Sequence, residues 1–485
     1  MKINELLEGL NVGAIPARFK DFDIQSISCD SRNVEPGGLF FALKGTRLNG
    51  TDFIAEALKK GAKVIIKNSH GSGYPESKDF CLLSTSDPRN ILLNVAQRFY
   101  GFPSRQIKTI GITGTNGKTT ISYLLESIFH AASKKCAVIG TVNYRIGRTV
   151  IPSKNTTPGL LENQRYLSDM VKEKAEFCIM EVSSHALDQG RVEAIDFCCA
   201  IFTNLTGDHL DYHRTMENYF LAKSKLFTGL NKKSCAIINV DDEYGKRLAA
   251  MAKGKVITFG LQGKPDVQAE NIRLTFSGST FLIRYPEGKI DVKTKLIGRH
   301  NVSNILSASA SALSLGISPE NIRKGIAFLK GVPGRLERVD NAKGFSVFVD
   351  YAHTEDALKN VLSNLKNVSR AKIIVVFGCG GDRDKTKRPK MGKIAGQLAD
   401  FSIVTSDNPR SEDPQDIVSQ IQKGFQGKNF EVVLDRKKAI AKALSMAKAG
   451  DVVLIAGKGH EDYQIFKDKT VHFDDREVVK EILGC

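Results

Sequence analysis

The stretch Thr109–Thr120, TIGITGTNGKTT, constrains this chain more than any other part of it. The apolar run Ile107–Ile112 predicts a strand, and Gly111, Gly114 and Gly117 predict a tight turn. The spacing of Ile121, Leu124, Leu125, Ile128 and Phe129 predicts a helix over Ile121–Ala132. Backbone N–H groups at such a helix start can grip phosphate oxygens. Lys118 adds a point charge for β- and γ-phosphates, and the Thr119 hydroxyl is placed for Mg²⁺. The strict phosphate-loop spacing puts a glycine five positions before Gly117, where this chain has Ile112; Gly111 and Gly114 flank that position. The implied ligand is a nucleoside triphosphate.

The rest of the chain follows the same strand–helix alternation, which is the α/β signature. A length of 485 residues exceeds one ordinary core and suggests about three domains. The first, 1–103, has a strand-like Val64–Lys67 and amphipathic helices around Ile54–Gly61 and Arg89–Tyr100. The second, 104–333, carries strands Phe177–Val182, Cys199–Thr203, Cys235–Val240 and Val256–Phe259. The third, 334–485, follows Gly331-Val-Pro-Gly334, whose residue types suit a hinge. Its strands are expected at Ser346–Asp350, Ile373–Phe377, Ser402–Thr405, Phe430–Leu434 and Val452–Ile455. Four of them run into polar loops, Asp350–His353, Gly378–Asp384, Ser406–Arg410 and Gly457–Asp462, the second and fourth of them rich in glycine. Ligands of open α/β sheets bind beyond the carboxyl ends of strands, so these loops are expected to converge on one site.

Glu181 ends an apolar strand and is followed by VSSHAL; a carboxylate there, one sheet neighbour from the phosphate loop, is placed to bind Mg²⁺. His209 and His213 are four apart and could share a helical face for zinc, but no third soft ligand is near and phosphate chemistry favours oxygen-bound magnesium. GRHNVSN, Gly298–Asn304, opens a helix in which Asn301 and Asn304 either bond a base edge or cap the helix. Asn155-Thr-Thr-Pro158 and Cys29-Asp-Ser-Arg32 are polar loops able to hold a substrate.

In order along the chain, DSR, GTNGKTT, NTTP, MEVSSHAL, TNLTGDHLDYH, GRHNVSN, PGRLER, DYAHT, GCGGDRDKTKRP, DNPR and GKGHEDYQ resemble the motifs of the Mur ligases, ATP-dependent enzymes that build the peptide of bacterial peptidoglycan. The resemblance implies a three-domain α/β architecture with a central phosphate-loop ATPase-like domain and a C-terminal Rossmann-like domain. The last three motifs are similar to those of members that add the third amino acid to UDP-N-acetylmuramoyl-L-alanyl-D-glutamate through an acyl phosphate. It implies catalytic roles for Lys118, Glu181, His209 and Lys223, with Thr119, Glu181, His209 and Lys223 (as a carbamate, N6-carboxylysine) around Mg²⁺. For ATP it points to Gly114, Thr115, Asn116, Gly117, Lys118, Thr119, Thr120, Asn301, Asn304, Asp350 and His353. For the UDP-sugar peptide it points to Ser31, Asn155, Thr156, Thr157, Ser183, Gln189 and Arg191. For the amino acid it points to Arg383, Asp407, Asn408, Pro409, Arg410, Gly457 and Glu461. Lysine-adding members generally lack the arginine of DNPR, so Arg410 favours meso-diaminopimelate, whose distal carboxylate an arginine can bind bidentately.

Composition sets the remaining limits. Hydrophobic residues make up 41% and charged residues 25%, a globular balance, and no run is apolar enough to span a membrane. The amino terminus has neither the long apolar stretch nor the cleavage site of a signal peptide. Nine cysteines, Cys485 among them, form no C-x-x-C pair, so neither a zinc site nor a disulfide framework is expected and a cytoplasmic location is. The net charge of +17 favours anionic partners: the nucleotide substrates first, nucleic acid second. No RNA- or DNA-binding signature accompanies it. Competing readings are a lysine-adding ligase, a folylpolyglutamate synthase (not expected to carry DNPR or GKGHED) and a nucleic-acid-binding protein on the same scaffold. A monomer is expected.

Overall fold

Strands that are apolar on both faces must be covered by helices on both faces, and that requirement organises most of this chain. The computed structural model describes residues 1–45, 48–69, 77–368 and 371–484. They form an α/β protein with three main sheets.

The central sheet has eleven strands. Lys108–Thr113 lies between Phe197–Phe202 and Phe177–Glu181, parallel to both. Ile110, Ile112, Ile179 and Ile201 face one core with the helices Lys118–Ala131 and Arg299–Ser314; Cys178, Met180, Ala200 and Phe202 face the other with Leu160–Lys172 and Met216–Thr228. The chain leaves Lys108–Thr113 toward Cys136–Ile139 on one side and later returns to its other side as Phe197–Phe202. The carboxyl end of Lys108–Thr113 is therefore the switch point at which such sheets bind ligands.

Antiparallel strands close both edges of this sheet: Asn143–Ile146 with Thr149–Pro152 on one side, Gly278–Tyr285 with Gly288–Thr294 on the other. The sequence reading did not anticipate them. Gly288–Thr294 buries only Ile290, Val292 and Thr294, with charged residues between, so it has no continuous apolar run.

The first sheet is parallel, in the order Ile27–Ser28, Gly38–Ala42, Ala62–Asn68, Cys81–Thr85. In the third, Ser346–Asp350, Val452–Ala456, Ile373–Phe377, Phe401–Val404 and Phe430–Val432 are parallel neighbours in that order. Their carboxyl ends carry the four polar loops side by side, as expected. Eight cysteines are free thiols, and Cys485 lies outside the described residues. Among the described residues no helix is long and apolar enough to cross a membrane.

Candidate active site

The phosphate loop is shaped by two glycines with left-handed φ, Gly114 at 143° and Gly117 at 94°. Neither tolerates a side chain: a Cβ at Gly114 would stand 1.8 Å from Thr203 Oγ1, and one at Gly117 would stand 2.4 Å from Asn304 Oδ1. Gly117 caps the helix Lys118–Ala131, whose first turn is buried at Thr119, Thr120 and Ile121. The segment after Phe197–Phe202 braces the loop. Thr115 N donates to Asn204 O (2.9 Å), Asn116 N to Asn204 Oδ1 (3.0 Å), and Thr203 Oγ1 to Asn116 O (2.6 Å). Lys118 Nζ donates to the carbonyls of Gly114 (2.8 Å) and Thr115 (2.9 Å).

Sheet register delivers the acid. Ile112 pairs with Glu181, which is 1% exposed and accepts hydrogen bonds from Thr119 Oγ1 (3.0 Å), Thr141 N (3.0 Å) and Thr141 Oγ1 (2.9 Å). Thr156 Oγ1 lies 3.1 Å from Thr141 Oγ1. A carboxylate ringed by hydroxyls is an all-oxygen set, which suits a hard divalent cation better than zinc.

Two further groups approach from the helix side. Lys223 is 2% exposed, and its Nζ donates to Gly114 O at 2.9 Å. Burial first, then the neighbouring Lys118 charge, push the Lys223 amine well below the usual lysine range. His209, half exposed, sits at φ 54° ahead of the short helix Leu210–His213, with Nε2 3.5 Å from Asp208 Oδ2; partial desolvation lowers its imidazole below the usual histidine range, against the opposing pull of Asp208. The helical zinc face does not form. His209 precedes the helix, while His213 is buried with Nε2 3.0 Å from Ser184 Oγ. Among the described residues no three His, Cys, Asp and Glu side chains gather as a metal cluster.

Asn301 and Asn304 lie beneath the loop, buried in the first turns of Arg299–Ser314. Gly298, not an asparagine, is the cap; Asn301 Nδ2 donates to Ile297 O (2.9 Å) and Asn304 Nδ2 to Asn301 Oδ1 (3.1 Å). The capping alternative is thereby corrected.

Most of the residues read for the UDP-linked substrate form one cluster beside Glu181. Thr157 Oγ1 donates to Glu181 O (2.8 Å) and accepts from Ser183 N (3.0 Å). Arg191 Nη1 donates to Thr157 O (3.1 Å), and its Nε and Nη2 to Gln189 Oε1 (2.9 and 2.6 Å). The Tyr144 hydroxyl donates to Asn155 O (2.6 Å). Ser31 stands apart on the first sheet, donating to Glu56 Oε2 at 2.6 Å. Arg89 links that part of the chain to the cluster through Gln189 O (2.9 Å) and Glu193 (3.0 Å).

On the third sheet, Asp350 Oδ2 accepts from Leu336 N (2.6 Å) and Oδ1 from Ala352 N (2.8 Å); burial raises its carboxyl to about 6 although Arg335 pulls the other way. His353 Nδ1 lies 2.9 Å from Tyr351 O. The amino-acid candidates cluster. Asn408 Nδ2 donates to Glu461 Oε2 (2.9 Å), and a Cβ on Gly457 would meet Asp407 Oδ2 at 2.7 Å. Arg410 Nη1 donates to Gly381 O (2.7 Å), and Pro409 is buried between the same loops; Arg383 is exposed beside them. Burial and the Asp407 charge push the Glu461 carboxyl up.

The sequence reading assigned no role to three residues that the structure puts in these clusters. Arg335 Nη2 reaches Thr119 Oγ1 at 3.3 Å while its guanidinium lies 4.8 Å from the centre of the Tyr351 ring, and its Nε is buried without a partner among the described residues. Lys458, fully buried, donates to Asn408 Oδ1 at 3.0 Å. Thr141 was overlooked although it bonds Glu181 twice. The first two lie within quoted motifs, PGRLER and GKGHED, and a buried cation in a glycine-rich turn was the available signal.

Comparison with known proteins agrees across the chain. Residues 112–312 match the Mur ligase middle domain, 334–459 the Mur ligase glutamate ligase domain, and 23–99 the Mur ligase family catalytic domain. A UDP-N-acetylmuramoyl-L-alanyl-D-glutamate--2,6-diaminopimelate ligase of Geobacter metallireducens is 46% identical over 94% of this chain and 93% of its own. A solved structure of a ligase of the same name is 33% identical with a TM-score of 0.71, covering 100% of this chain and 99% of that one. The MurF ligase of Thermotoga maritima in complex with ADP is 21% identical with a TM-score of 0.63, over 89% and 93%, which is a likeness of fold.

Proposed function

Because the chain belongs to the Mur ligase family, we propose that its three sheets, in domains spanning 1–103, 104–333 and 334–485, build one site where an acid is activated by ATP and captured by an amine. The chain is an ATP-dependent amide-bond ligase of peptidoglycan synthesis that joins 2,6-diaminopimelate to UDP-N-acetylmuramoyl-L-alanyl-D-glutamate.

A carboxylate is a poor electrophile, and its charge repels the γ-phosphate, so the site must neutralise charge and align the reactants. Lys118 and the amides of Gly117–Thr120 hold the triphosphate, with Asn304 backing Gly117 and Asn301 bracing Asn304. Thr119 and Glu181 would supply oxygen donors for one Mg²⁺; His209, with Lys223 as its carbamate, would hold a second near the acceptor carboxylate. Bound there, Mg²⁺ supplies positive charge against the phosphate oxygens. Asp350 and His353 present the third sheet to the nucleotide, and Arg335 adds a cation at Thr119.

Ser31, Asn155, Thr156, Thr157, Ser183, Gln189 and Arg191 hold the UDP-dipeptide. A D-glutamyl carboxylate oxygen attacks the γ-phosphorus, ADP departs, and an acyl phosphate forms. The amine of meso-diaminopimelate then attacks the acyl carbon, and the tetrahedral intermediate expels phosphate. Asp407, Asn408, Pro409, Gly457 and Glu461 orient the amino acid, while Arg383 and Arg410 face its distal carboxylate. An ammonium beside Glu461 offsets the burial and the Asp407 charge that together raise its carboxyl. Nucleotide substrates place the reaction in the cytoplasm, and one chain supplies all three sheets, so a monomer suffices. The +17 charge matches polyanionic substrates without requiring nucleic acid.

The contact from Arg335 to Thr119 carries this reading, because it brings the amino-acid sheet onto the phosphate loop. ATP turnover with the UDP-dipeptide and either diaminopimelate or lysine tests it. Diaminopimelate should support turnover, and Lys118→Ala should lower kcat/KM about a hundredfold to a thousandfold. Turnover with lysine alone would overturn the assignment of Arg410, and a fully active Lys118→Ala would overturn the site.

A further inference from the structure

Arg410 stands in the left-handed region at φ 54°, and across from it, on the neighbouring loop, Asp382 stands at φ 53°. Neither is a glycine, so both loops adopt a backbone that L side chains rarely take. Arg410 N donates to Ile465 O (3.1 Å), and a reciprocal pair of acids joins the two loops to each other. Asp382 on one loop accepts from Ser411 N (3.1 Å) and Ser411 Oγ (2.6 Å) on the other. Glu412, one residue further, reaches back so that Oε1 accepts from Asp382 N at 2.6 Å. Each carboxylate thus binds the backbone of the opposite loop.

The clasp is anchored from below. Arg388 is 0% exposed and meets Glu412 with two bonds of 2.9 Å, while Nη1 also donates to Gln420 Oε1 (3.0 Å) and Nη2 to Gly380 O (3.2 Å). This guanidinium holds the Glu412 carboxyl down at about 2, so Glu412 is an anion throughout the working range. The loops touch directly as well. Gly381 N donates to Asn408 O (2.9 Å), and a Cβ on Gly381 would stand 1.8 Å from Pro409 O. The outcome of these bonds is the place of the Arg410 guanidinium, fixed by Nη1 on Gly381 O at 2.7 Å.

We propose that Asp382 and Glu412 are positioning residues for the amino-acid substrate: their clasp pre-sets Arg410 for the distal carboxylate and thereby sets the preference for diaminopimelate over lysine. This rests on the reading that Arg410 faces that carboxylate. A bidentate arginine is selective only when its plane is fixed, because a loose one loses its advantage over a solvated cation. Lysine has no distal carboxylate, so its binding does not depend on where Arg410 points.

The test is steady-state kinetics of the full chain with ATP, UDP-dipeptide and each amino acid, for wild type, Glu412→Gln and Asp382→Asn, alongside thermal melts. In both variants KM for diaminopimelate should rise about tenfold while KM for ATP stays within about twofold, and the diaminopimelate-to-lysine ratio of kcat/KM should fall. Ser411→Ala, at an exposed side chain, removes a single clasp bond and should move KM the same way by less; it decides the matter should Glu412→Gln not fold. An unchanged diaminopimelate KM overturns the proposal, and so does a parallel rise of all three substrate KM values, which marks a merely structural role. A wild type inert toward diaminopimelate overturns the functional reading itself, a result distinct from either.

Discussion

Lys223 is a lysine whose surroundings oppose its charge. Its amine is buried against Gly114 O, and the adjacent Lys118 charge disfavours a second cation. Both effects favour the neutral amine, and the neutral amine is the form that attacks CO₂. Carbamate formation releases a proton and replaces a would-be cation with an anion, which removes the conflict with Lys118. The sign follows: a lower pH protonates the amine and reverses the reaction. Labelled bicarbonate should give a carbamate carbon signal in the wild type and none in Lys223→Ala. Signal and turnover should fall together as pH is lowered from about pH 8 to about pH 6, and Lys223→Ala should lose activity about a hundredfold or more. A Lys223→Ala enzyme at full speed would refute the carbamate role.

At the scale of elements, the buried pair Arg436–Asp475 shows how the third sheet is backed. Both side chains are 0% exposed, and two bonds of 2.7 Å join the helix Arg436–Met446 to the helix Asp475–Leu483. Arg436 Nη2 also donates to Ala456 O (3.1 Å), immediately before Gly457. Asp475→Ala leaves a guanidinium buried without its partner, a loss of about 3–5 kcal/mol, while Arg436→Met with Asp475→Leu should recover most of it. Thermal unfolding of the three variants checks both halves of that statement. This pair was invisible in the sequence, since 39 residues separate its members and each alone reads as an ordinary surface charge. Elements defined by continuous apolar runs were legible: Ser346–Asp350 and Ile373–Phe377 form with the bounds their residues implied. Strands with one wet face, such as Gly288–Thr294, were not, because their apolar residues alternate with charged ones. The candidate site divides the same way. Thr119 and Glu181 meet because each ends a recognisable strand-and-loop unit, whereas Arg335 reaches Thr119 across 216 residues of chain, and only tertiary structure decides such a contact.

For the whole molecule, closure of the third sheet against the central one is the expectation to test. Val332 is fully buried in the central core. Gly334, two residues on, belongs to the other side: its carbonyl accepts from Tyr351 N (2.8 Å), and a Cβ on it would stand 2.2 Å from His460 N. Within the expected Gly331–Gly334 hinge, only Pro333 lies between these two anchored residues. Around that pivot, Asp356 forms a latch. Its Oδ2 accepts from Thr206 Oγ1 (2.8 Å) and from Asn116 Nδ2 (3.3 Å) on the phosphate loop itself, and the backbone N of Arg299 donates to Asn364 Oδ1 (3.1 Å) nearby. Asn360, on the same helix, donates to Asp356 Oδ2 at 3.1 Å and steadies it. Arg335 reaches Thr119 only with the two sheets held together as they are here, so a weakened latch should slow the chemical step more than it weakens binding. Asp356→Ala should lower kcat about threefold to tenfold with little change in KM for diaminopimelate. Its scattering envelope without ligands should be wider than that of the wild type and should contract once nucleotide and UDP-dipeptide are added. Identical envelopes for both proteins in every state, together with an unchanged kcat, would show that Asp356 does not govern closure.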